Sequence, residues 1–190
     1  MNSIPAALAP TRTVQLLNFV LFQIAWFAAI IAAAHDCPGW GTASVIVVIA
    51  WHLAVSARPA QEAILVVLVS LLGLVIETLT NSRGYIAFAS GQPIAWLPPY
   101  WLIALWGNLA IALNVTMRWL KGRAWLSAAL GAIVGPLSFL SGVRLGGGTF
   151  VEMVPALIMM GIAWAVAMPI VMWLSDRFDG VAVPAPVRSS

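Results

Sequence analysis

Glu77 stands inside a long apolar run, where a carboxylate is costly unless it is paired, protonated or set against a cavity. Gly73, Glu77 and Asn81 recur every four residues and so share one helix face. Gly73 leaves room beside the carboxylate for a neighbouring helix. The chemistry such a group offers is proton transfer. A structural ion pair with Arg144, or failing that Arg83, would keep it charged and tie two helices together. His52 is the second titratable candidate, for proton transfer or for a simple interfacial contact beside Trp51.

The uncharged polar residues fall into two further sets. Asn18, Asn114 and Arg118 lie toward the same membrane face as His52, and Asn114 and Arg118 share a helix face. Gln23 and Asn108 fall near mid-depth, together with Trp26, Trp106 and Trp164. Tryptophan favours the membrane interface, so three at mid-depth need an explanation. We expect them to line a ligand pocket whose polar contacts are Gln23 and Asn108, or to fill a dry core. Gln23 and Trp26 share a face; Trp106 and Asn108, two apart, do not, so one of them must serve a different neighbour. No metal site is expected. His35-Asp36-Cys37 are consecutive and cannot all converge on one ion, and no paired Cys or His spacing occurs. No cofactor signature, nucleophile elbow or phosphate-binding loop is present either.

The elements that must hold these residues follow from composition. Of 190 residues, 62% are hydrophobic and 8% charged, against roughly 25% charged in soluble domains. Too few charged side chains remain to cover a water-exposed surface, so a soluble single-domain enzyme, a disordered chain and a fibrous repeat are excluded, and the basic residues form no amphipathic stripe of the kind that a nucleic-acid partner would need. Cys37 is the single cysteine, which excludes a disulfide scaffold. Six apolar stretches approach the roughly 20 residues that a spanning helix needs: 14–34, 42–56, 60–81, 96–117, 124–143 and 152–174. The expected fold is an all-α integral membrane protein, a six-helix transmembrane bundle over 14–174. A short segment, 1–13, precedes it and a frayed tail, 175–190, follows.

Counting from a cytoplasmic N-terminus, Arg12, Arg58, Arg118, Lys121, Arg123, Arg177 and Arg188 fall inside, and Arg83 and Arg144 outside. That bias predicts both termini in the cytoplasm and accounts for the +3 net charge. Trp40, Trp96, Tyr100 and Trp101 would mark the outer interface, and Trp119, Trp125 and Trp173 the inner one. The loop 82–95 is either a short hairpin or an interfacial segment. Pro136 and Pro169 are candidate helix breaks, as transporter sites use.

Several pieces occur in order between about residue 16 and residue 174. They are Asn18-Phe19 through Gln23 and Trp26-Phe27, then Pro99, Trp101-Leu102 and Leu105-Trp106. Asn114 with Arg118-Trp119-Leu120 comes next, then Gly135-Pro136-Leu137 through Gly142, Arg144-Leu145-Gly146. Together they resemble a bacterial membrane family known as domain of unknown function 2878. The resemblance implies a small multi-pass protein of the bacterial inner membrane. Members are often encoded near fatty-acid-modifying methyltransferases and flavin oxidoreductases, which implies a place in lipid metabolism. Three functions are open: an accessory or lipid- or isoprenoid-binding protein, a membrane enzyme using Glu77 or His52 for proton transfer, and a small transporter. The partner expected in every case is the lipid bilayer.

Overall fold

The computed structural model describes residues 11–181. Among these residues six α-helices form the fold: α1 (Arg12–Ala34), α2 (Pro38–Val55), α3 (Pro59–Asn81), α4 (Tyr100–Leu113), α5 (Ala124–Arg144) and α6 (Met153–Arg177). Five are long and apolar enough to cross a membrane; α4 is shorter. Their starts follow local rules. Thr11 caps α1, its Oγ1 accepting from the Val14 N–H at 3.3 Å. Pro38 and Pro59 open α2 and α3 at a position where a missing N–H costs nothing. Pro99 immediately precedes α4.

Large apolar side chains face outward along whole helices. Ile64, Val67, Leu71, Val75 and Leu79 form such a face on α3, and Val154, Ile158, Ile162 and Val166 another on α6. A continuous apolar surface of this extent is compatible with a multi-pass membrane protein.

The helix α4 differs from the expected 96–117 span. It has 14 residues, ten of them buried, and rises about 21 Å against roughly 30 Å of hydrocarbon. It packs against α1, α2 and α3 and touches α6. Irregular backbone at membrane depth is tolerated where protein surrounds it. Wrapped by its neighbours, α4 can end at Leu113 and hand over to a turn and a 3-10 segment at Arg118–Leu120. Neither internal proline breaks its helix: α5 runs through Pro136 and α6 through Pro169.

One end of the bundle carries a two-stranded antiparallel sheet, β1 (Ile86–Phe88) with β2 (Gly148–Phe150), in register Ile86 to Phe150. The 82–95 loop therefore does form a strand, but its partner lies in the α5–α6 connection. Local sequence cannot reveal such a pairing. At the other end, the tail expected from residue 175 is not frayed where it is described. α6 continues to Arg177, and Val181 is buried with Val115. Residues 182–190, Arg188 among them, lie outside the described residues.

Candidate functional site

The polar end of the bundle holds a closed cluster around Glu62, a residue the sequence reading did not single out. Glu62 lies in the first turn of α3, where the helix dipole favours an anion. It faces His52 in the last turn of α2, with Nε2 2.9 Å from Oε2; both side chains are fully buried. Asn114, just past α4, donates from Nδ2 to Glu62 Oε1 at 2.8 Å and to the Phe178 carbonyl at 3.0 Å. The Gly180 N–H also donates to Oε1, at 2.6 Å. Four elements thus converge on one carboxylate. Two buried polar atoms of the cluster, His52 Nδ1 and Asn114 Oδ1, have no hydrogen-bond partner among the described residues.

Residues 178–181 close this cluster as a strap. The Arg58 N–H donates to the Gly180 carbonyl at 3.0 Å, and the Arg58 guanidinium donates to the Asp179 carbonyl. A Cβ on Gly180 would sit 2.5 Å from Arg58 O and 2.7 Å from Glu62 Cγ, so only glycine fits. Asp179 accepts from the Val181 N–H through Oδ1, and its Oδ2 faces Arg118 at 2.7 Å and Lys121 at 2.9 Å. Burial would raise the Asp179 carboxyl. The hydrogen bonds and charges of Lys121 and Arg118 outweigh it and hold the group below its ordinary range.

Of the expected polar layer, His52, Asn114 and Arg118 do come together. Asn18 stands beside them on α1, donating to the Ile111 carbonyl at 3.1 Å and accepting from Thr116 at 2.6 Å. The signal for Glu62 was present: Arg58-Pro59 opens a helix whose first turn carries an acid, ten residues from His52. It read as an ordinary helix start because nothing local shows the strap and α4 closing over it.

Glu77 is also fully buried, but its partners correct the ion-pair expectation. Among the described residues no ion pair joins Glu77 to Arg144 or Arg83, and both arginines are exposed. Glu77 instead accepts from the Trp106 indole at 3.1 Å and from Thr80 at 3.4 Å. Gly73 makes this possible as expected: a Cβ there would lie 2.2 Å from Trp106 Cγ. The cationic side chains lie off the chain ends of α3 and α5, whereas Glu77 faces inward onto α4.

The three mid-depth tryptophans do not share one pocket. Trp106 stacks on Trp164 with centroids 4.8 Å apart and planes at 24°, inside the packed core of α3, α4 and α6. Trp164 Nε1 is buried without a partner among the described residues. Asn108 points the other way, donating to the Phe22 carbonyl of α1 at 3.0 Å. So Trp106 and Asn108 serve different neighbours, as their spacing required, but neither indole bonds Asn108 or Gln23. Gln23 is half-buried. Trp26 lines a separate cleft of about 40 Å³ with Ile30, Phe88, Trp101, Phe139 and Gly142, between α1, α4 and α5 and beneath the sheet. Trp101, expected at the outer interface, is buried there and donates to the Ser90 carbonyl at 3.0 Å. Trp40, Trp96, Trp119, Trp125 and Trp173 are exposed.

Among the described residues no three His, Cys, Asp or Glu side chains gather as metal ligands would. The profile of a family described as protein of unknown function, DUF2878, matches residues 15–170. The chain belongs to the DUF2878 family. No curated protein and no solved structure matches it. The matched stretch of this DUF2878 member includes His52, Glu62, Glu77 and Asn114 and stops short of the strap.

Proposed function

We propose that the chain is a multi-pass protein of the bacterial inner membrane that binds a lipid acyl chain and acts as an accessory to lipid metabolism, without chemistry of its own. The observation that carries this reading is the cleft at Trp26. Its walls are almost wholly apolar and aromatic, with Ser138 as the one hydroxyl. It lies between helices whose outer faces are themselves apolar, and at about 40 Å³ it takes the tip of an acyl chain whose remainder stays in the bilayer. Orientation follows from charge. Among the described residues Arg12, Arg58, Arg118, Lys121, Arg123 and Arg177 cluster at the polar end, and Arg83 and Arg144 at the sheet end. The polar end, where α1 begins and α6 ends, is therefore cytoplasmic, and α4 completes a sixth crossing with the turns that follow it.

Proton-transfer chemistry has less support. Glu77 and His52 are both sealed and hydrogen-bonded within the packed bundle. The transporter reading loses the helix breaks that motivated it, since α5 and α6 are continuous.

Photoactivatable palmitate, incorporated into the membranes of expressing cells, tests the binding reading. Crosslinks mapped by peptide mass spectrometry should concentrate on Trp26, Phe139 and Gly142. An even spread over the outward face of α3, at Ile64, Val67 and Leu71, would sink it. A crosslinked isoprenoid probe in place of palmitate would change the ligand class.

A further inference from the structure

Away from the cleft, the polar end contains a pair of cations, each tied to a backbone carbonyl. Arg118 donates from Nη1 to the Asn114 carbonyl at 3.0 Å, and Lys121 from Nζ to the Ser175 carbonyl at 3.0 Å. Backbone carbonyls of α4's end and α6 thus hold both heads in place. Arg118 Nη2 and Lys121 Nζ both also face a single oxygen, Asp179 Oδ2, at 2.7 and 2.9 Å. Asp176 lies farther from Lys121, at 3.8 Å. Two preorganised cations converging on one anionic oxygen form the recognition element for a phosphate.

We propose that Arg118 and Lys121 form an anion cradle for a phosphate group, that Asp179 fills it in this structure, and that a phosphate competitor releases the strap from Glu62. Three features connect the cradle to the strap. Asp179, Gly180 and Val181 are consecutive. Gly180 bonds Glu62 directly, and Val181 is buried only while the strap is seated. Displacing the Asp179 carboxylate removes its ion pairs with Arg118 and Lys121, leaving the Arg58, Asn114 and Glu62 bonds to hold the strap. Release would open the buried His52–Glu62 pair to the aqueous side. Trp119 and Trp125, within four residues of Lys121 in the chain, are both exposed as interfacial anchors are, which sets the cradle at the depth of lipid phosphates as well as within reach of a free one.

Val181→Cys in a Cys37→Ser background reports the strap through its rate of maleimide labelling, because a buried thiol reacts slowly. The full chain is placed in phosphatidylcholine nanodiscs, with and without phosphatidic acid, and separately titrated with inorganic phosphate. Labelling should accelerate about tenfold at saturating phosphate, the size of an ordinary coupling between sites. Acceleration by phosphatidic acid alone identifies a lipid headgroup as the ligand; acceleration by both admits a soluble phosphate. Asp179→Asn should label fast without any phosphate. Arg118→Gln with Lys121→Gln should also label fast but show no phosphate response. Chloride at matched ionic strength is the control. An equal effect of chloride, no response to either phosphate source, or slow labelling of the Asp179→Asn chain each overturns the proposal. Thermal unfolding of each variant separates strap release from global loss of structure.

Discussion

Glu62 ties together more of the polar end than its neighbours do, because it is hydrogen-bonded to His52 and accepts from Asn114 and Gly180 at once. A buried polar group left without its partner costs about 1–3 kcal/mol, and Glu62→Ala orphans three such groups at once. Glu62→Ala should therefore lower the melting temperature in detergent more than Asn114→Ala, which loses neutral-donor bonds worth about 1–3 kcal/mol. His52→Ala added to Glu62→Ala should cost less than the sum of the two single changes, since the carboxylate the histidine faced is already gone. Additive losses would mean that the two residues do not act as a pair. Farther along the same helix, Gly73→Ala places a methyl inside the Trp106 ring. The ring must move and surrender its bond to Glu77. We expect a loss of about 1–3 kcal/mol, as for other overpacked cores, read by thermal unfolding. A neutral result would show that Trp106 has a second comfortable rotamer.

Among the elements, the strap's retention depends on pH in a direction that Asp179 fixes. Its carboxyl is held below its ordinary value of 3.8. A carboxyl lowered in the folded state contributes its stability above the unfolded value and loses it as pH falls through the lowered one. The strap should therefore stay seated at neutral and mildly acidic pH and loosen only below 3.8. Hydrogen–deuterium exchange at the Gly180 and Val181 amides reads this directly. Faster exchange beginning well above that value would assign the anchoring to another group. The helix α4 illustrates the complementary point. Its 96–117 apolar run reads as a full span, yet the helix stops at Leu113, and Asn114 just past it turns its side chain to Glu62 and Phe178. Surrounded on most sides, it has no need to satisfy a lipid-exposed backbone to full depth.

For the whole molecule, charge asymmetry makes a prediction that no single contact supplies. Reporter fusions at residue 190 should be active only as cytoplasmic reporters, and fusions within 82–95 only as periplasmic ones. A periplasmic reporter active at residue 190 would invert the bundle or remove one crossing. The membrane class, the helix positions, the charge bias and the family resemblance were legible in the chain itself. Each depends on local composition: a run of about 20 apolar residues, a proline at a helix start, arginines in short loops. Five of the six expected spans match helices to within a few residues for that reason.

What lies between helices was legible only where spacing on one helix constrained it. The share of Gly73 in seating a neighbour beside Glu77, and the divergence of Trp106 from Asn108, follow from 3.6 residues per turn and hold in the structure. The partner itself did not follow. Glu77 met a tryptophan instead of an arginine, the tryptophan trio separated into a stacked pair and a cleft wall, and Glu62 gained a closed cluster from residues 10, 52 and 118 positions away. Apolar faces of nearly equal hydrophobicity all round leave helix rotation almost unspecified by sequence. Interhelical packing and a few buried hydrogen bonds fix that rotation, and those exist only once all six helices and the strap are in place.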